Sequence, residues 1–251
     1  MFRIIVIVLA VMLSFVNVSG QLKIKEKANI PMFSASFALQ VPQQDLKERF
    51  GMNSNIGGDF LFKTKSGWLA GIEVYYLFGD QVKEDSILDG LRTANGEILN
   101  EFGEYANVLI YERGYYLGAK LGKLIPLSSS NPNSGIMITL SAGFLEHKIR
   151  IDNQGNTVPQ LVGDYKKGYD RLSNGFSMRE FVGYMYIGEN QFANFFAGVE
   201  FYQSWTMNRR SINFDTKTTD NRERRDDLIG FRLGWIIPLY RHMQTNTYYT
   251  E

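Results

Sequence analysis

The sequence contains no cysteine and only two histidines among its 251 residues. Without cysteine there is no disulfide framework, no thiolate nucleophile and no lipid-anchored lipoprotein N-terminus. Zinc-protease motifs, phosphate-binding P-loops and dinucleotide-binding glycine motifs are absent too, so we expect no metal and no cofactor. The 27 Lys and Arg residues nearly balance the 26 Asp and Glu residues, which leaves no basic footprint for nucleic acid.

Long apolar runs are equally scarce, and the one example lies at the N-terminus. Arg3 is followed by an almost wholly apolar stretch, 4–18, and then by Ser19 and Gly20. This order is typical of a secretory signal peptide, which we predict at 1–20. The alternative is an N-terminal membrane anchor, but the stretch is shorter than the ~20 residues of a spanning helix.

The chain is rich instead in apolar residues that recur at every second position. The segment 228–240 shows this most clearly, with large apolar residues at Ile229, Phe231, Leu233, Trp235 and Ile237. The same alternation recurs in seven further segments, at about 32–41, 55–63, 68–78, 106–123, 135–151, 176–187 and 192–207. Period-two alternation in about eight segments predicts an all-β fold, a transmembrane antiparallel up-and-down β-barrel. In 176–187 both faces carry apolar residues, so its register stays open.

The connections between these segments alternate in length, the first, third, fifth and seventh being longer on average. Bacterial outer-membrane barrels have long extracellular loops and short periplasmic turns, so we expect the outer membrane of a Gram-negative bacterium. The predicted organisation is a periplasmic segment at 21–30, the barrel at 31–240 and a periplasmic tail at 241–251. The longest connection could form a short helix at 86–99.

Charged residues lie on the face opposite the apolar one. They are Asp59, Glu73, Lys120, Glu200 and Arg232. In a soluble lipocalin-like barrel these charges would occupy a dry core at a cost of several kcal/mol each. A membrane barrel encloses them and turns the apolar side chains toward lipid. Because eight-stranded barrels are filled by their own side chains, we predict a structural polar network rather than a conduction path or binding site.

Two further groups of residues suit the membrane surface. Lipid-facing or girdle positions are predicted for Trp68, Phe192, Trp205, Trp235 and Tyr240. Possible contacts to lipopolysaccharide phosphates are the arginines of the last outer loop, Arg209, Arg210, Arg222, Arg224 and Arg225. Acidic residues are interspersed among these arginines, which favours the alternative of a solvated loop with internal pairing.

His147 follows Glu146 near the predicted outer rim. Some eight-stranded outer-membrane enzymes modify lipid A with a histidine at the rim. No spaced serine, histidine and acid accompany His147, so we expect a surface residue and predict no catalytic residue and no enzyme.

Three segments, 111–123, 143–150 and 168–175, resemble uncharacterised outer-membrane barrels of Bacteroidota, and the chain over 31–240 resembles the small OmpX/OmpA-type barrels. The resemblance implies a non-enzymatic barrel, and we expect it to dock with a larger outer-membrane complex. PorG-like barrels of this size serve the type 9 secretion and gliding machinery. The alternatives are a small-solute or lipid-binding porin-like barrel and a lipid A-modifying enzyme.

Overall fold

The computed structural model describes residues 27–188 and 193–239. The predicted signal peptide, most of the segment before the barrel, the C-terminal tail, Phe192 and Tyr240 lie outside the described residues. Eight strands are present: β1 Ile30–Gln43, β2 Asn53–Lys63, β3 Trp68–Gly79, β4 Val108–Pro126, β5 Gly135–Asn153, β6 Ser173–Ile187, β7 Asn194–Asn208 and β8 Glu223–Pro238.

Each strand pairs with its chain neighbours in antiparallel fashion, and β8 pairs with β1 to close the ring. The predicted up-and-down barrel is therefore confirmed. A path that starts at Phe33 and steps from each residue to its partner on the next strand returns to β1 at Gln43. The register therefore shifts by ten residues around the barrel. Eight strands with this shift tilt by about 43°, so each residue advances by about 2.4 Å along the barrel axis.

The two faces of each strand differ in the way the sequence indicates. On β1, Phe33, Phe37 and Leu39 are exposed, whereas Ser36 and Gln40 are buried inside. Exposed apolar residues occur on the outward face of every strand, for example Phe33, Ile56, Ile72, Leu117, Leu140, Val182, Val199 and Phe231. A water-soluble barrel would bury such residues, and a continuous apolar exterior is the surface that a membrane barrel presents to lipid.

The register of β6, which the sequence left open, is settled by the structure. Phe181, Met185 and Ile187 are buried inside the barrel, and Val182 and Tyr184 are exposed on its outer face. The choice follows from pairing, because Val182 lies opposite outward-facing residues on both neighbouring strands.

The connections have the predicted asymmetry. The turns 64–67 and 127–134 are short, and the opposite end carries the longer loops. The first of these loops contains the helix α1, Gln44–Arg49, and 3-10 turns lie at Asp85–Leu91, Gln154–Asn156, Pro159–Leu161 and Gly163–Gly168. None of the helices in the described part of the chain is long and apolar enough to cross a membrane.

The helix expected at 86–99 is shorter than predicted and covers only Asp85–Leu91. Beyond it, Arg92 pairs with Ile98 in an isolated β-bridge. The chain reverses at Gly96, whose φ of +86° suits glycine and is incompatible with a continuing right-handed helix.

Candidate functional site

The five predicted interior charges all lie inside the barrel and are buried. Lys120 of β4 joins the two acids nearest to it. Its Nζ is 2.7 Å from Asp59 Oδ2 and 3.0 Å from Glu73 Oε2. The hydroxyl of Tyr75 donates to Asp59 at 3.2 Å. These contacts connect strands β2, β3 and β4 across their inner faces.

Arg179 of β6 links this group to the far side of the barrel. Its Nη1 is 2.7 Å from Glu73 Oε2 and its Nε is 3.0 Å from Glu200 Oε2. Glu200 also accepts a hydrogen bond from Nε of Arg232 at 2.6 Å. The network therefore contains three bases and three acids, with a formal sum of zero: Lys120, Arg179, Arg232, Asp59, Glu73 and Glu200.

Sequence reasoning missed Arg179 because the register of β6 was ambiguous. A signal was nevertheless present. The five predicted charges comprise three acids and only two bases, so one buried carboxylate lacked a partner. Requiring charge balance in a dry interior would have turned Arg179 inward and fixed the register of β6.

Apolar residues close the interior on both sides of this network. The periplasmic end is filled by Ile30, Met32, Leu61, Leu69, Leu124, Met137, Phe181, Met185, Ile187, Phe196 and Ile236. A second apolar cluster lies toward the outer end and includes Phe50, Leu77, Leu145, Ile149 and Leu228. Beside Asp59 and Lys120 a void of about 10 Å³ remains, the space of about one water molecule. The described interior is a packed core and offers no wide aqueous path.

His147 is not the surface residue that the sequence suggested. It is buried inside the barrel, and its Nε2 lies 2.7 Å from Asp226 Oδ2. Alternation explains the correction, because His147 is an even number of positions from Thr139 and Ser141 of the same strand, which are also buried inside the barrel. Thr206 donates its hydroxyl to the same Asp226 oxygen at 2.5 Å. The hydroxyl contacts the acid rather than the imidazole, so the nucleophile–base contact of a hydrolytic triad is absent among these three residues.

Ion pairs between the long loops close the outer mouth. Glu84 accepts from Nε of Arg49 at 3.2 Å and from Nε of Arg171 at 3.0 Å, and Arg171 also binds Asp215 at 2.6 Å. These four residues belong to four different outer loops. Burial lowers the pKa of the Arg49 guanidinium, and the nearby carboxylates of Glu84 and Asp226 oppose that shift. We call this set, Arg49, Glu84, Arg171 and Asp215, the loop clamp.

The five arginines predicted to contact lipopolysaccharide each bind an acid or amide of this chain. The pairs are Arg209–Asn174, Arg210–Asp170, Arg222–Asp45, Arg224–Asp220 and Arg225–Asp227. Internal pairing was the alternative favoured by the interspersed acids. Lipopolysaccharide contact at these arginines stays a prediction.

The three described tryptophans lie on the outer face. Trp68 is exposed at the periplasmic end of β3, where Lys123 lies 4.6 Å from its ring centroid. Trp205 lies near the outer end of β7 with Arg225 at 4.9 Å, and Trp235 of β8 is half-exposed. Indole rings beside cations at barrel ends suit the membrane interface.

One charged residue, Glu180, lies on the outer face far from either end. It is the eighth of the fifteen residues of β6 and pairs with the outward-facing residues Leu140 and Phe201. Exposed aromatic rings, Phe176 and Tyr184, lie four positions away in each direction, about 10 Å above and below it. The Glu180 side chain is half-buried among its neighbours on this face, and its Oε2 is covered by them and has no hydrogen-bond partner in the described structure. A carboxylate therefore faces the middle of the apolar band.

No family model matches the chain, and no curated protein matches its sequence. Among solved structures it is similar to Neisserial surface protein A, at 12% identity and a TM-score of 0.42, covering 82% of this chain and 96% of that one. It is also similar to Ail of Yersinia pestis in complex with the heparin analogue sucrose octasulfate, at 11% identity and a TM-score of 0.36, covering 83% and 99%. The N-terminal β-barrel domain of Pseudomonas aeruginosa OprF gives 11% and 0.34, covering 82% and 98%.

Likeness at these identities and TM-scores adds nothing about function. The assignment rests on the chain itself, whose eight antiparallel strands close into a ring with an apolar exterior and a charged interior. That combination is the architecture of an integral outer-membrane β-barrel, and this chain is one.

Proposed function

We propose that this chain is a non-enzymatic structural subunit that docks laterally onto a larger outer-membrane protein. The lipid-facing carboxylate of Glu180 is the observation that carries the proposal. An ionisable group within the apolar band is costly, and in membrane proteins such groups mark functional contacts.

The free-energy cost of this carboxylate depends on the depth of Glu180 in the bilayer. Charged residues on the lipid face of barrels destabilise most at the bilayer midplane and least near the interfaces, with acids costing less than bases. The other outward-facing acids of the described strands, Glu146, Asp152, Glu223 and Asp227, lie toward the extracellular ends of β5 and β8, at the level of headgroups and water. Glu180 has neither, so a partner that donates hydrogen bonds at the same depth would remove the penalty.

The surface beside Glu180 allows a close approach. Ala119 of β4 and Ala142 of β5 are paired on the outer face, and Ala142 is paired in turn with Met178, two positions from Glu180. Small outward side chains let a neighbouring transmembrane element approach the backbone. The adjacent carboxylate would then lie at the edge of a shallow apolar depression. We call Ala119, Ala142, Met178 and Glu180 the lateral face.

The occupant that fits the lateral face is a transmembrane strand or helix of a different protein with a lipid-facing Arg or Lys at mid-depth. The described residues of a second copy of this chain do not provide such a base. Over the described ranges, outward bases on the strands lie toward their ends: Lys123, Arg113, Lys148, Arg150 and Arg225. In a second copy of the same orientation these bases would lie well above or below Glu180.

The resemblance to Bacteroidota barrels suggests one source of such a partner, the type 9 secretion and gliding machinery. The Glu180 carboxylate indicates that the partner carries a base at the same depth, and it does not identify the partner protein. A porin-like role receives little support from a packed interior, and a lipid A-modifying role receives little from a histidine that lies inside the barrel. Replacing His147 by Ala should leave the lipid A profile unchanged by mass spectrometry.

Site-specific photo-crosslinking in intact outer membranes tests the docking proposal. A benzophenone amino acid at Val182, which is adjacent to Glu180 on the outer face, is expected to capture one outer-membrane protein. The control position is Val74, comparably exposed in the middle of β3 on another side of the barrel. Support requires that the captured segment carries a lipid-facing Arg or Lys. It also requires that Glu180→Leu abolishes the adduct. The adduct should return when Glu180 is replaced by Arg or Lys and the partner's base is replaced by Glu.

Three results would reject docking through this face. They are equal adducts from Val182 and Val74, an adduct that Glu180→Leu leaves unchanged, and an adduct that contains only a second copy of this chain. Heat-modifiable migration of each variant on gels shows that it has folded, so a missing adduct cannot be attributed to misfolding.

A further inference from the structure

A groove of about 520 Å³ lies outside the barrel wall where β4 and β5 approach their extracellular ends. Its lining includes four bases and two tyrosines: Arg113, Lys148, Arg150, Lys166, Tyr76 and Tyr115. The first three bases project from the outward faces of β4 and β5, and Lys166 comes from the 3-10 turn Gly163–Gly168 in the loop before β6.

The bases of this groove are not neutralised by any acid in the described part of the chain. Lys148, Arg150 and Lys166 form no ion pair within the described ranges. Arg113 donates only to the backbone carbonyls of Gly79 and Glu112. This distinguishes the groove from the arginines of the last loop, which are paired internally.

The two acids of the groove are already engaged elsewhere. Asp170 receives two hydrogen bonds from Arg210, at 2.7 and 2.5 Å. Glu146 accepts a hydrogen bond from the amide of Asn174 at 3.0 Å. The cations therefore exceed the available anions, and the groove suits a ligand with negative charge.

The position of the groove relative to the membrane indicates which molecule could supply that negative charge. Lys148 lies eight positions, about 19 Å along the barrel axis, beyond Leu140, the partner of Glu180. Because the strands tilt, Glu180 lies about 3 Å nearer the extracellular side than Leu140, which leaves Lys148 roughly 16 Å nearer that side than Glu180. Half of the ~25 Å apolar band is about 12 Å, which places Lys148 just above the acyl chains. Tyr76 and Tyr115, exposed on the same wall, lie below it at the interface.

We infer that this groove binds a phosphate group of an outer-leaflet lipid, with Lys148, Arg150 and Lys166 as the charged contacts. Ammonium and guanidinium groups bind phosphate oxygens through charge-assisted hydrogen bonds. The lipid's acyl chains would pass over the tyrosines and along the apolar wall below. The site is separate from the lateral face, and it does not depend on a protein partner.

Native mass spectrometry of the detergent-purified full chain tests this site. The probes are a diphosphorylated lipid A, the same lipid after dephosphorylation, and inorganic phosphate. The test variant carries Lys148→Gln, Arg150→Gln and Lys166→Gln. The control variant carries Lys47→Gln, Lys167→Gln and Lys217→Gln, which remove the same charge from exposed positions of the outer loops.

The expected result is that the unaltered barrel and the control variant bind diphosphorylated lipid A equally. The test variant should bind it at least tenfold more weakly, and loss of the lipid phosphates should have an effect of similar size. Equal binding by test and control variants would overturn the site. Binding of inorganic phosphate as tightly as lipid A, with the same sensitivity to the test substitutions, would overturn the lipid as its source.

Discussion

Arg179 and Glu180 are consecutive residues of β6, and their side chains leave the barrel wall on opposite sides. Arg179 is buried inside and bound to Glu73 and Glu200, whereas Glu180 lies on the outer, lipid-facing side of the wall. A shift of β6 by one residue would exchange the two. It would place a guanidinium at mid-depth in lipid, at about 2–4 kcal/mol, and remove the base that balances the interior. The native register therefore places the carboxylate on the lipid face, where it destabilises the barrel less than a guanidinium would.

Replacing Arg179 by Met is expected to destabilise the barrel by about 3–5 kcal/mol, because Glu73 and Glu200 would keep their burial and lose a shared base. Urea unfolding in lipid vesicles, followed by heat-modifiable gel migration, measures the loss. Adding Glu73→Gln should recover part of it by restoring charge balance. An Arg179→Met barrel with an unchanged urea midpoint would show that the network does not depend on Arg179.

Glu180→Leu should act in the opposite direction and stabilise the isolated barrel in vesicles by about 1–2 kcal/mol, because a lipid-facing carboxylate at the midplane is replaced by an apolar side chain. Glu180→Gln, which keeps the shape and removes the charge, should give a smaller gain. Stabilisation together with lost docking is typical of a residue retained for function. If Glu180→Leu lowers the urea midpoint, the carboxylate has a stabilising contact within the barrel and the docking argument loses its basis.

Much of this architecture could be predicted because period-two alternation determines both the strands and their faces. The interior positions of Asp59 and Arg232 follow from that alternation alone. Both faces of β6 carry apolar residues, so the sequence alone does not predict which face points inward. Pairing with the neighbouring strands determines the register. His147 was misplaced because its position was judged from distance to the rim rather than from parity. Glu180 escaped notice because its lipid exposure depends on the β6 register.

The packed interior predicts that the purified barrel is electrically silent in planar lipid bilayers. The apolar cluster at the periplasmic end blocks ions more effectively than the charged network does, because it offers them no polar contact. Replacing Phe181 and Phe196 together by Ala removes two large rings of that cluster, which contact each other edge-on with centroids 5.6 Å apart. Small, intermittent currents are expected only in that variant. Regular channel openings in the unaltered protein would show that the interior opens in a membrane.

The loop clamp makes a prediction about the outer mouth. Glu84→Gln replaces the carboxylate that both Arg49 and Arg171 bind, so two charge-assisted contacts between loops weaken together. Hydrogen–deuterium exchange should then accelerate in the outer loops and stay unchanged in the central residues of the strands. Glu97→Gln is the matched control, since Glu97 is exposed on the same loop as Glu84. Equal exchange in the two variants would mean that apolar packing around Phe50 and Leu161, rather than the ion pairs, keeps the mouth closed.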